Sequence, residues 1–237
     1  MSLLIVTGLN KQFGGVTALK DLEVNMRSDE TLGMIGPNGS GKTTFVNIIT
    51  GQLRGDTGGL EFDGHDIRSQ PSHELARLGL TRTYQAVRIF AGLTVRKNIA
   101  TACLLLAGHG ASAAERDELV GWLRLDRLLE KEAGSLTLFE QRRLELLMRL
   151  TQKPKLIMLD EPVGGLAITE VREMIQLLQE LKARTSIFVI EHTMRVIREL
   201  ADRVVVLMAG EKIADGPPAA ILRDRRVVEQ YLGTAHA

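Results

Sequence analysis

Residues Gly36-Pro37-Asn38-Gly39-Ser40-Gly41-Lys42-Thr43 follow the pattern G-x-x-x-x-G-K-T. Glycines at these places let backbone N–H groups turn inward around a phosphate. The lysine adds a point charge for β- and γ-phosphates, and the following hydroxyl is placed to hold Mg²⁺. The chemistry this spacing serves is the binding of ATP or GTP. The flanks agree with it. Thr31-Leu32-Gly33-Met34-Ile35 is a short apolar run suited to a buried strand, and Thr44 to Ile49 opens a helix. The positive N-terminal end of such a helix favours bound phosphate.

Two further strand ends carry reactive groups. Leu156-Ile157-Met158-Leu159 runs into Asp160-Glu161. In nucleotide-hydrolysing α/β folds chemistry gathers at the carboxyl ends of strands. A first acid there can hold Mg²⁺ through water, and a second can polarise the attacking water. His192 follows the apolar run Ser186 to Ile190 and Glu191, where a γ-phosphate contact is plausible. A lone histidine is more often structural or merely exposed. Gln85 ends a short β-like run after Arg82-Thr83-Tyr84 and, by itself, reads as a surface glutamine.

These groups need a scaffold. Leu3 to Leu9 reads as a strand, Leu22 to Met26 alternates like a half-exposed one, and Leu60-Glu61-Phe62 is closed by an Asp63-Gly64 turn. From about Glu74 the character changes. Val95 to Leu106, Ala113 to Leu125 and Glu140 to Thr151 carry apolar residues at helical spacing, giving a mostly helical insert. Strands at Lys155 to Asp160, Ser186 to Ile190 and Arg203 to Met208 then alternate with helices at Thr169 to Ala183 and Met194 to Ala201. That alternation predicts an α/β fold with a mainly parallel sheet covered by helices.

Composition sets the outer limits. The 237 residues are 44% hydrophobic and 25% charged, with a formal net charge of +1. Such a balance gives no global electrostatic case for nucleic acid or for an anionic membrane surface. A single cysteine, Cys103, excludes an internal disulfide and a cysteine-rich metal site. The first residues lack the basic stretch of a secretion signal. The longest apolar run, Ile99 to Gly108, is too short to cross a bilayer and reads as a buried helix. The expected location is the cytoplasm, docked on a membrane partner.

The order of phosphate loop, Gln85, helical insert, Asp160-Glu161-Pro162 and Glu191-His192 resembles the ATP-binding subunits of ABC transporters, over essentially the whole chain. In detail it resembles the LivG-like branched-chain amino-acid importer group. The matching stretches are Phe13 to Leu19, Arg82 to Phe90, Gln141-Arg142-Arg143-Leu144-Glu145 and Tyr231-Leu232-Gly233. The resemblance implies one ABC ATP-binding domain. Residues 1–85 and 153–237 would form the catalytic core with an antiparallel β subdomain, and about 86–152 a helical subdomain. It implies ATP and Mg²⁺ as ligands. Gly36 to Thr44 would bind nucleotide, and Phe13 would stack on adenine unless it is simply a core phenylalanine after a strand. Thr43, Gln85 and Asp160 would surround Mg²⁺, Glu161 would act as general base, and His192 would sense the γ-phosphate. The implied partners are transmembrane permease subunits, a second ATP-binding subunit in a heterodimer and, indirectly, a periplasmic solute-binding protein. The implied place is the cytoplasmic face of the cell membrane.

One motif departs from the family. The signature loop, resembling Leu-Ser-Gly-Gly-Gln, opens the helix that reaches the partner's γ-phosphate. In register, this chain reads Leu136-Thr137-Leu138-Phe139-Glu140. A glycine in place of Phe139 would let backbone N–H groups approach phosphate, and a benzyl group is expected to obstruct them. A Glu140 carboxylate about 4 Å from a phosphate charge would be repelled by roughly 4 kcal/mol at an effective dielectric near 20. Thr137 and Glu140 nonetheless form a capping box, so the helix should start properly. Ala167 stands where Asp or Asn is expected in the loop crossing the dimer interface, and Thr193 where Asp usually follows the histidine. The expectation is a subunit that binds Mg-ATP in its own site and completes its partner's site poorly. The readings that compete with a transport ATPase are a slow ATP-dependent switch and a soluble ABC-type ATPase of DNA repair or translation. GTP remains open on the phosphate loop alone.

Overall fold

The computed structural model describes residues 2–104 and 110–229. The stretch Tyr231 to Gly233 and the end of the Ile99 to Gly108 run lie outside them. Two sheets organise the chain. The first is four-stranded and antiparallel in its pairings, with order β2-β1-β4-β5. Its members are β1 (Ser2–Phe13), β2 (Val16–Arg27), β4 (Gly59–Phe62) and β5 (His65–Asp66). Leu22, Val24 and Met26 are buried between exposed neighbours, which is the expected alternation of a strand with one wet face.

The second sheet is six-stranded, with order β10-β9-β3-β8-β7-β6. It comprises β3 (Thr31–Ile35), β6 (Leu80–Arg82), β7 (Leu156–Asp160), β8 (Ser186–Ile190), β9 (Arg203–Met208) and β10 (Glu211–Gly216). All its pairs are parallel except β9 with β10. Strands β7 and β8 read as unbroken apolar runs because both faces are covered. Ile157, Leu159, Ile187 and Val189 pack into one core, while Leu156, Met158, Phe188 and Ile190 pack into the other.

Helix α1 (Lys42–Ile49) follows β3 and packs Phe45 on Phe188, with ring centroids 5.5 Å apart. After α2 (Ser72–Leu78) come the helices of the insert, α3 (Val95–Leu104), α4 (Ala113–Trp122) and α5 (Leu138–Leu150). The core is completed by α6 (Ile168–Leu181) and α7 (Met194–Leu200). The expected long helix at Ala113 to Leu125 stops at Trp122, and a 3₁₀ turn follows at Asp126–Leu128. Leu104, expected within a buried helix, is 81% exposed. Strand β10 and helix α2 went unread in the sequence. The first is a polar edge strand, and the second is seven residues long and has no side-chain cap. Among the described residues no helix is long and apolar enough to cross a membrane.

Candidate nucleotide site

The loop between β3 and α1 is shaped by its glycines. Gly41 has φ +105°, and a Cβ there would lie 2.5 Å from the Ala18 carbonyl oxygen. At Gly36 (φ +153°) a Cβ would meet the Leu207 carbonyl oxygen at 2.0 Å. No side chain larger than hydrogen fits either place without moving backbone. Gly41 is also the N-cap of α1, which has no side-chain cap hydrogen bond. The first N–H groups of that helix are therefore without the side-chain partner that helix starts commonly have. Lys42 folds back to donate from Nζ to the carbonyl oxygens of Gly36 (2.7 Å) and Pro37 (3.0 Å). Burial lowers the Lys42 pKa, while Glu161 and Asp160 pull it back up.

A cavity of about 390 Å³ opens over this loop. It is lined by the run Asn38 to Thr44 together with Gln85, Asp160 and Glu161. Strand ends far apart in sequence thus bring together ten of the site residues read from the sequence. Gly36 and Pro37 lie beneath, as acceptors for Lys42. The site fits a polyphosphate on its own features: an uncapped helix start, a backbone cradle that a Cβ would fill, and Ser40 Oγ, buried with no hydrogen-bond partner among the described residues. A divalent cation fits beside it in donor chemistry. Thr43, Gln85 and Asp160 offer oxygen ligands on the wall of the same cavity.

Asp160 is 7% exposed and pairs with Arg82 Nη2 at 3.0 Å. Burial raises its pKa, with the Arg82 charge opposing that rise. Arg82 is also anchored through Nη1 on Asn47 Oδ1 at 2.6 Å. Glu161 has φ +47°, a left-handed conformation that costs a non-glycine residue about 1 kcal/mol or more. Its backbone is pinned on both sides. Its N–H donates to Ile190 O, and its carbonyl accepts from the Gly164 N–H, each at 3.0 Å. Its carboxylate accepts from Gln85 Nε2 at 2.8 Å and faces His192 Nδ1 at 3.6 Å.

Not every site residue from the sequence joins this cavity. The His192 side chain is 60% exposed and does not line the cavity; it approaches the site at the Glu161 carboxylate. Phe13 is 47% exposed at the end of β1, with the Lys11 ammonium 5.2 Å from its ring centroid. It is not a core phenylalanine, and it does not line the cavity. Thr137 to Glu140 lie elsewhere, at the start of α5. There the capping box is complete: the Thr137 N–H donates to Glu140 Oε2 (2.8 Å), and the Glu140 N–H to Thr137 Oγ1 (3.3 Å). The Phe139 ring departs from expectation. It turns inward, 7% exposed, under the Arg143 guanidinium at 4.6 Å. It fills core volume instead of standing over the helix start. The exposed apolar group there is Leu138 (39%), which packs toward Gly165.

Besides Arg82, three supporting residues escaped the sequence reading as site elements. Glu191 is fully buried and accepts from the N–H groups of Val163 and Thr193, each at 3.3 Å, so it ties the loop after β7 to the loop after β8. Arg142 donates to Gly164 O at 2.7 Å and reaches Gln85 O at 3.5 Å. Glu145, 1% exposed, accepts from the Arg88 N–H at 3.2 Å, and burial pushes its pKa up to about 7. Charged residues on, or directly after, an element that the apolar pattern marks as buried were the available signal.

Comparison with known proteins agrees with this geometry. Residues 19–164 match the ABC transporter family, and residues 211–237 match the branched-chain amino acid ATP-binding cassette transporter family. The high-affinity branched-chain amino acid transport ATP-binding protein BraF of Pseudomonas aeruginosa is 34% identical, over 98% of each chain. LivG of Escherichia coli, described in the same words, is also 34% identical over 98% of each chain. Among solved structures, the ADP conformation of MJ1267, an ATP-binding cassette of an ABC transporter, superposes with a TM-score of 0.87. It is 29% identical, with 98% of this chain and 99% of that one covered. The chain is a member of the ABC transporter family of ATP-binding proteins, an ATPase cassette.

Proposed function

We propose that this chain is the Mg-ATP-hydrolysing subunit of an importer for branched-chain or related amino acids. It works on the cytoplasmic face of the cell membrane with transmembrane permease subunits and a second, different ATP-binding subunit. One observation carries the reading: a single cavity gathers the uncapped start of α1, Lys42, Gln85, Asp160 and Glu161. The relatives named for branched-chain amino acid transport support the solute class. A solute-binding protein outside the membrane would deliver the solute to the permease.

The residues divide the work. Lys42 leaves its two carbonyl partners to hold β- and γ-phosphates, and the N–H groups from Gly39 to Thr44 cradle them. Phe13, exposed at the end of β1, offers its ring to the adenine. Thr43, Gln85 and Asp160 would hold Mg²⁺, which would supply charge neutralisation to the bound phosphates. Arg82 keeps the Asp160 carboxylate oriented. Glu161 accepts the proton of the attacking water, and Gln85 and His192, on its two oxygens, fix the carboxylate's direction. Residues 1–85 and 153–237 act as the catalytic core, and about 86–152 as the helical part that meets the permease. Gln85 then sits where permease contacts and nucleotide are coupled.

The start of α5 supports asymmetry between two composite sites. Its capping box already places the Glu140 carboxylate on the helix start, so an incoming phosphate there meets a negative charge. The competent site is the one built on this chain's Lys42 and Glu161 and completed by the partner subunit. A slower reading, an ATP-dependent switch with little turnover, draws on the same self-capped helix. Reconstitution decides between them. Vesicles carrying the permease, the partner and this chain should accumulate leucine with ATP, and a Glu161→Gln chain should abolish uptake while still binding ATP. Uptake unaffected by Glu161→Gln overturns the motor reading.

A further inference from the structure

A separate cavity of about 290 Å³ opens at the other end of the sheet from the nucleotide site. Pro154 and Thr185, which line it, stand just before the first residues of β7 and β8, whereas Asp160 and Ile190 end those strands. Ligand pockets begin at roughly this size, about 300 Å³. Its lining comes from both parts of the chain. Helix α4 and the end of α5 supply the insert side, and the turns before β7 and β8 supply the core side. The floor is apolar, with Leu119 and Leu150 buried beside Pro154.

The rim carries both signs of charge. Lys153 Nζ meets Glu115 Oε1 at 2.8 Å, and Arg184 Nη2 meets Glu118 Oε1 at 2.7 Å. All four side chains are between 40% and 60% exposed, so a ligand in the cavity can reach them. Glu115 is already spent, because it also accepts from the Ser112 N–H in the cap of α4. The others keep bonding capacity. Among the described residues Arg184 uses one nitrogen, Nη2, as a donor, and Glu118 uses one oxygen, Oε1. An ammonium such as Lys153 has three N–H donors, and one carboxylate oxygen does not exhaust them. Exposed ion pairs are worth about 0–1 kcal/mol, so a ligand can share or part these two at little cost.

We propose that this cavity binds one free aliphatic α-amino acid as its zwitterion. The ligand carboxylate accepts from the Arg184 nitrogens that Glu118 leaves open and from Lys153. The ligand ammonium donates to Glu118, and the aliphatic side chain lies on Leu119 and Leu150. The two cations and two carboxylates of the rim cancel in formal charge. A simple anion would meet the two carboxylates, and a simple cation would meet Lys153 and Arg184. A ligand carrying both signs answers both. The apolar floor selects a hydrocarbon side chain over glycine. Occupancy ties α4 of the insert to the turn before β8 of the core. The amino-acid class follows from the lining; a role in sensing imported solute would rest on the function proposed above.

The test is calorimetric titration of leucine into the full chain, with tryptophan emission followed in parallel. Trp122 is the only tryptophan in the sequence, and the Arg184 guanidinium lies 4.9 Å from its ring centroid. We expect one saturable site of about millimolar affinity or tighter, and emission that changes along the same curve as Arg184 turns to the ligand. Three probes each lack one recognised group: 4-methylpentanoate the ammonium, isopentylamine the carboxylate, and glycine the side chain. Each should bind about tenfold or more weakly. Glu118→Gln and Arg184→Gln should weaken leucine by a similar factor and leave ATP affinity unchanged, because neither residue lines the nucleotide cavity. No saturable leucine binding, binding that leaves Trp122 emission unmoved, glycine binding as tightly as leucine, or indifference to both substitutions would each overturn the proposal. The assay uses neither permease nor partner, so its failure is distinct from a failure of the transport reading.

Discussion

Two helix starts in this molecule use the same physics to opposite ends. Helix α1 begins at Gly41 with no side-chain cap, and its leading N–H groups face a cavity of about 390 Å³. Helix α5 begins at Thr137 with both capping-box hydrogen bonds made, and a carboxylate of its own lies across its start. An open start attracts an anion, and a filled one repels it. On the function proposed above, the first would take this chain's own nucleotide and the second would face a partner's. The proposed cis site is then open to phosphate, while the start of α5 is filled by its own side chains.

That contrast can be broken from either side. The largest effect is expected at the open side. Glu161→Gln should lower ATP turnover about 10²–10⁴-fold with nucleotide affinity retained, as for loss of a general base. Next come the glycines. Gly41→Ala places a methyl group 2.5 Å from the Ala18 carbonyl in a left-handed conformation. It should cost about 3 kcal/mol or more of stability and abolish nucleotide binding. Gly39→Ala is also left-handed, but its Cβ meets nothing within 4 Å. Its cost should stay near 1 kcal/mol in thermal unfolding. Equal costs for the two would show that close approach does not shape this loop.

The closed side sharpens the comparison. Restoring glycine at Phe139 is a poor repair, because the ring is buried core. Phe139→Gly should destabilise the chain by about 3–5 kcal/mol. Glu140→Gln keeps the helix cap in place and removes only the charge, so a gain in turnover there isolates the electrostatic block. A smaller effect concerns Glu145, which joins α5 to the segment after Gln85 through the Arg88 N–H. Its pKa rises from 4.5 to about 7, so the folded state binds a proton more readily than the unfolded chain. The sign follows: between those values stability falls as pH rises, by up to about 3 kcal/mol on linkage arithmetic. Glu145→Gln should flatten that slope in urea titrations at a series of pH values. An unchanged slope would place the titration elsewhere.

The legible part of the sequence was what local pattern dictates. The phosphate loop, the strands ending at Asp160 and Ile190, and the Thr137–Glu140 cap are encoded in contiguous residues, so spacing alone located them. What remained hidden depends on partners far along the chain. Arg82 supports Asp160 from 78 positions away, and Arg142 spans from α5 to both Gln85 and Gly164. Phe139 misled for a related reason. Its residue type suggested an obstruction, but its direction on the helix is set by the core formed with α6 and its neighbours. Sequence pattern reports which face is apolar. It does not report which of two plausible pockets a single ring will enter.

The most direct measurement is steady-state ATP turnover of the purified chain beside its Glu140→Gln variant, with Glu161→Gln as the blank. Slow turnover by the unmodified chain that rises severalfold in Glu140→Gln is the predicted result, because removing the negative charge at the start of α5 would relieve both composite sites of a homodimer. Equal turnover in the two, well above the blank, would contradict the claim that this helix start is closed to the partner's phosphate.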